Sequence, residues 1–182
     1  MIISIIGCGQ SAKDWHKTPC DLSIGVNDCL KFGHQTDWLV VVNAVNKFTP
    51  KPKNGYQDRL FTITRSRPKR FFCHNGAWKQ YFTNAELLQL YPFRGTVKKG
   101  KIYFSKTSPF VAMNLAYEAG ATDIILWGVD FLDHPNVKDK ILKSELMEYK
   151  RLFDALEGKG VRCWIGSPET VLNDQLMVWK NT

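Results

Sequence analysis

The chain has 182 residues, 44% of them apolar, which suits one domain that can build a core without disulfides. Its five cysteines (Cys8, Cys20, Cys29, Cys73, Cys163) are scattered with no Cys-x-x-Cys pair, which argues against a disulfide framework or a zinc cage and for reduced thiols in a cytoplasm. The net charge of +8 is uneven: between Lys47 and Lys106 there are 14 Lys/Arg against Asp58 and Glu86, a balance of +12, and the remainder carries −4.

The opening run 2–6 is a short, wholly apolar strand of the kind buried on both faces of a parallel sheet. It has too few residues, and no preceding basic residue, for a secretory signal. A glycine loop follows, with Gly7 and Gly9. Residues 21–26 and 37–42 read as two more strands, each ending in an asparagine, Asn27 and Asn43. The stretch 48–106 breaks this rhythm. It is basic, rich in Pro and aromatic residues, and carries two weak strands (60–64 and 70–73) and a helix over 77–90. It reads as an insertion or lid over the sheet edge.

Beyond it, residues 108–119 form a helix, with Val111, Leu115 and Ala119 on one face and Gly120 as its end signal. Residues 121–127 and 161–165 are further strands. A helix over 144–156 lies between them, with Ser144 as N-cap and Leu146, Tyr149, Leu152, Phe153 and Leu156 on one face. Strand–helix alternation at these lengths predicts a layered α/β fold with right-handed crossovers. No stretch approaches the roughly 20 apolar residues of a membrane helix.

In open α/β sheets ligands bind beyond the carboxyl ends of the strands, where the strand order reverses. Small and polar residues gather at those ends. Gly7, Gly9, Gln10 and Ser11 follow the first strand, Asn27 and Asp28 the second, and Asn43 and Asn46 the third. Thr107 and Ser108 open a helix, and Gly128, Asp130 and His134 follow the fourth strand. Glycines admit close backbone approach, helix N-termini attract phosphate, and asparagines both donate and accept. Each residue also has a plain structural use: a tight turn for the glycines, an N-cap for Thr107 or Ser108, a turn for Asn27 and Asn43, a cap for Asp130. The coincidence across five strand ends points to a nucleotide pocket. Gly7, Gly9 and Ala12 also match a dinucleotide fingerprint, with Asp28 near the place of its ribose-binding acid. A Walker loop is absent.

These segments, with 106–113 (Lys-Thr-Ser-Pro-Phe-Val-Ala-Met) and 121–131 (Ala-Thr-Asp-Ile-Ile-Leu-Trp-Gly-Val-Asp-Phe), resemble the bacterial sialyltransferases that use CMP-sialic acid. The same framework resembles the hydroxymethylpterin diphosphokinase-like proteins. The resemblance spans most of the chain outside 48–106. It implies a single Rossmann-like nucleotide-binding domain over 1–182, mostly parallel with helices on both faces, and a glycosyltransferase that needs neither metal nor cofactor. It puts the glycine loop, Asn27, Asn43 and Thr107–Ser108 around the nucleotide. It also implies a histidine base before the last long helix and lid tyrosines for the leaving phosphate. Lys143, Ser144 and Glu145 stand near that histidine's place instead. His134, some ten residues earlier, is the candidate base, although a surface-loop histidine in His-Pro is the favoured plain account of it. Tyr103 and Tyr149 are candidate phosphate contacts.

Four functions follow from these readings. The first is a transferase using a CMP-type nucleotide sugar, and the second a pterin-type diphosphokinase. The third is a non-catalytic protein that holds a nucleotide or nucleotide signal. The fourth is a nucleic-acid binder in which the block 47–106 contacts a polyanion, with Arg65, Arg67, Lys69 and Arg70 beside Phe71 and Phe72.

Overall fold

The computed structural model describes residues 1–49, 59–131 and 139–180. The first three apolar runs form the strands expected of them: β1 (Ile2–Ile6), β2 (Leu22–Val26) and β3 (Trp38–Val41). The middle of the chain adds α1 (Arg59–Thr64), β4 (Arg70–Cys73), β5 (Glu86–Leu87), β6 (Leu90–Pro92) and β7 (Ile102–Phe104). Then come α2 (Ser108–Ala119), β8 (Asp123–Trp127), α3 (Asp139–Glu157) and β9 (Arg162–Ile165). Seven strands make one parallel sheet in the order β5-β4-β3-β2-β1-β8-β9, and β6 and β7 form a separate parallel pair. The chain walks outward from β1 to β5, then returns to add β8 on the other side of β1. The strand order therefore reverses between β1 and β8, where a crevice opens at the carboxyl ends.

The interior strands β1, β2, β3, β4 and β8 bury both faces. Ile3, Ile5, Ile24, Val26, Val40, Ile124 and Leu126 pack under α2 and α3, against Phe110, Met113, Tyr149, Leu152 and Leu156. Ile6, Leu39, Val41, Phe71, Ile125 and Trp127 face the opposite layer. That layer is α1 and the 3-10 turns Gln10–Lys17, Cys29–Phe32 and Gly76–Gln80, which contribute Ile63, Trp15, Cys29 and Trp78. The fold is α/β and Rossmann-like with both faces covered, the two long helices sharing one side. Among the described residues no helix is long and apolar enough to cross a membrane.

Three expectations about local structure are corrected. The weak strand over 60–64 is the helix α1, because Arg59 and Ile63, one turn apart, are both anchored. The Arg59 guanidinium holds Asp28 through two hydrogen bonds, and Ile63 is fully buried. The helix expected over 77–90 does not form. Trp78 is fully buried with its indole N–H donating to the Asn43 carbonyl at 2.8 Å, which closes a short turn capped by Asn75. Glu86 is then drawn alongside β4 by two hydrogen bonds from Arg70. Finally α3 begins at Asp139, so Ser144 lies inside the helix and is not its cap. Part of the stretch read as an insertion thus belongs to the sheet itself: β4 and β5 extend it beyond β3.

Candidate functional site

At the point of strand reversal two loops lie directly on each other. The Gly7 N–H donates to the Trp127 carbonyl at 2.6 Å, and the Gly9 N–H to the Gly128 carbonyl at 2.8 Å. The Ser11 N–H donates to Asp130 Oδ2 at 3.1 Å, its hydroxyl donates to Asp130 Oδ1, and its Oγ accepts the Gly128 N–H at 2.8 Å. Gly7, Gly9, Ser11, Gly128 and Asp130 are therefore brought together, and these polar groups are satisfied by one another. Gln10 is exposed at the start of the following turn.

A second group gathers beyond β2. Asn27 takes a left-handed backbone, φ 52°, which asparagine tolerates better than most residues. Its Oδ1 accepts the Ser108 hydroxyl at 3.2 Å, so the end of β2 is tied to the first turn of α2. Thr107 is the N-cap residue of α2 but makes no capping bond; its hydroxyl pairs with the Tyr149 phenol at 2.7 Å. Tyr149 is fully buried, and burial pushes its phenol far up, so it stays protonated. Tyr103 is also a core residue, its ring set edge-on to Phe93. The phosphate contacts expected of these two tyrosines are thus replaced by packing, with Tyr149 orienting Thr107.

The third feature is a cavity of about 630 Å³ beyond the ends of β3 and β4, roofed by the β6–β7 pair and α3. Asn43, His74, Tyr91, Lys106, Ser144 and Glu145 supply its polar lining. Glu145 is buried: its Oε2 accepts the Ser105 hydroxyl at 2.6 Å and the Lys106 N–H at 3.2 Å. Lys106 also reaches the Ser144 hydroxyl at 3.3 Å. Lys106 in the cavity wall directly precedes Thr107 and Ser108, and Ser108 is the residue bonded to Asn27. A space of this volume suits a small organic ligand.

The sequence did not point to His74 or to the buried state of Glu145. His74 follows β4 just as Asn27 follows β2, and that parallel was the available signal. His134, the candidate base, lies outside the described residues. Phe71 and Phe72, offered above as base-stacking partners, are 0% and 3% exposed and belong to the core. The cysteines near the glycine loop are not poised nucleophiles. Burial, and then the charge of Asp28, pushes the Cys8 thiol well up, and burial pushes Cys29 up to about 12. Among the described residues no three His, Cys, Asp or Glu side chains are gathered where they could hold a metal ion.

No protein-family model matches the sequence, and no curated protein matches it. Solved structures do match the fold. The sialyltransferase CstII from Campylobacter jejuni in complex with the substrate analogue CMP-3FNeuAc is 15% identical, with a TM-score of 0.61 over 99% of this chain and 86% of that one. CST-II with a trisaccharide acceptor and CMP is also 15% identical, with a TM-score of 0.62 over 100% of this chain and 87% of that one. CstII with cytidine-5'-monophosphate gives 15% identity and a TM-score of 0.60 over 97% and 84%. At such identity the likeness is one of fold: the chain has the sialyltransferase-like Rossmann architecture along its whole described length.

Proposed function

We propose that this chain is a glycosyltransferase that uses a CMP-type nucleotide sugar without a metal. The observation that carries the reading is the continuity of two features. Asn43 at the end of β3 and Lys106, just before the opening of α2 at Thr107 and Ser108, line a mostly apolar cavity of about 630 Å³, and Asn27 is hydrogen-bonded to that helix opening. A nucleotide lying along the strand ends would direct its sugar into that cavity. The fold shared with structures that hold CMP supports a cytidine nucleotide as the ligand. The Gly7–Gly9 loop and the Gly128–Asp130 loop form the floor of the site, and their mutual hydrogen bonds make it rigid before a ligand arrives.

A second reading is a protein that holds the nucleotide without chemistry. It is favoured by Glu145, which stands near the place of the expected histidine and whose Oε2 already accepts two hydrogen bonds. One experiment separates the readings. Thermal unfolding is followed with CMP, CMP-sialic acid, UDP-sugars, ATP, GTP and NAD. A ligand at 100 times its dissociation constant adds about 2.7 kcal/mol. For a chain of this size that raises Tm by roughly 5–10 °C. A selective shift with the cytidine ligands is expected. Recovery of CMP-sialic acid as CMP and free sugar marks an enzyme, and its recovery intact marks a binder. A shift with ATP or GTP alone, or with no ligand at all, removes the proposal.

A further inference from the structure

We propose that His74 is the general base that takes the proton from the acceptor hydroxyl during sugar transfer; this rests on the glycosyltransferase reading above. His74 lies immediately beyond β4, an interior strand of the sheet, and lines the cavity together with Asn43 and Lys106. Its Nδ1 sits 3.1 Å from the Leu88 carbonyl oxygen. A carbonyl only accepts, so Nδ1 carries the hydrogen, and in the neutral ring the lone pair is then on Nε2. The carbonyl is itself held in place, because the Leu88 N–H donates to the Cys73 carbonyl at 2.7 Å. One residue thus returns to both Cys73 and His74, fixing tautomer and ring orientation together. An imidazole with one nitrogen engaged by a fixed acceptor and the other without a hydrogen-bond partner among the described residues is the arrangement a general base requires.

Among the described residues the rest of the cavity offers no equal. Glu145 already accepts hydrogen bonds from Ser105 and Lys106, and Glu148 is paired with Arg151 at 2.9 Å. Tyr91 and Lys106 are the remaining titratable groups of the lining among the described residues. His16 and His34 stack on each other with centroids 3.7 Å apart, and neither lines the cavity.

The step balances as follows. The lone pair on Nε2 takes the hydroxyl proton while that oxygen bonds to the anomeric carbon of the donor. The bond from that carbon to the CMP phosphate breaks, its electron pair leaving on the phosphate oxygen, and the imidazolium then returns its proton to solvent.

The test uses the full chain, CMP-sialic acid as donor and water as acceptor, with CMP release as the rate and CMP affinity measured separately. For His74→Gln, kcat is expected to fall by at least about a hundredfold, the size of a general-base contribution. The Kd for CMP should stay within about twofold. The acid limb of the pH–rate profile should disappear, and added imidazole should partly restore turnover in His74→Ala. Melting curves for both variants check that each is folded. Turnover within about threefold of the original in either variant overturns the proposal. So does a loss that appears only in CMP affinity, or a loss carried by His134→Ala while His74→Gln stays active. If CMP binds but the unaltered chain releases no CMP from the donor, the base role falls and the nucleotide pocket stands. If CMP does not bind at all, both fall.

Discussion

A Cβ placed on Gly7 would lie 2.2 Å from the Gly128 carbonyl oxygen, and one on Gly9 would lie 2.1 Å from the Asp130 carboxylate. These glycines are required by the closeness of two protein loops, whether or not a ligand ever approaches them. Gly7→Ala must push backbone against backbone, and overpacking of that kind costs about 1–3 kcal/mol. Gly76→Ala meets nothing within 4 Å and should change stability by a few tenths at most. Urea unfolding of the pair tests this, and equal midpoints would show that the loops separate easily. The sequence marked the glycines but left their use open, because close approach to a phosphate and close approach to a neighbouring loop demand the same residue. Asn27 was legible for the same reason: a left-handed residue after a strand favours asparagine. Only the coordinates supply its Ser108 partner.

Among the elements, α1 is held to the end of β2 by Arg59 and Asp28. Burial works to raise the Asp28 pKa, but the hydrogen bonds and charge of Arg59 together outweigh it and hold the carboxyl below the usual range. A carboxylate whose folded pKa is lowered stabilises the fold fully above its unfolded pKa of about 3.9. That contribution is lost as pH falls below this value and through the folded pKa. Asp28→Asn should therefore cost about 1–3 kcal/mol near neutral pH. The gap to the unaltered chain should narrow on acidification below about pH 4. A gap that does not change with pH would mean that packing of the α1 arginine over Phe48, and not its charge, holds the helix. Elements of this kind were the least legible. The apolar strands β1, β2, β3 and β8 declare themselves by composition, as does α2 by its spacing. α1 and β5 are set by Asp28 and Arg70, partners distant in sequence, and β6 by its pairing with β7. Because the β6–β7 roof was not foreseen, the cavity and His74 were not foreseen either.

At the scale of the whole molecule the charge asymmetry is the remaining large feature, and the structure shows how much of it is already used. Arg59, Lys69 and Arg70 from the basic stretch pair with Asp28, Asp37 and Glu86. Lys99 hydrogen-bonds the carbonyls of Tyr117 and Glu118 at the end of α2, where a cation complements the helix dipole. Arg67 donates to the carbonyls of Thr64 and Ser66. Arg70 also lies over the rings of Trp38 and Phe72, so its aromatic neighbours serve the sheet edge. A strand of nucleic acid would find scattered lysines and no stacking platform at Phe71 and Phe72. Attraction to a small anion is a different matter, since a nucleotide sugar needs only one or two favourable charges near the cavity, and Lys106 is already there. The two cases predict different salt responses. Single-stranded binding follows a log–log slope of roughly −0.7 per phosphate neutralised. For a single-stranded oligonucleotide we expect weak binding with a slope no steeper than about −1.5, the response to roughly two phosphates. A slope steeper than about −4 would mean that six or so phosphates are contacted. The basic stretch would then be a nucleic-acid surface in its own right and not the charged flank of a nucleotide-sugar site.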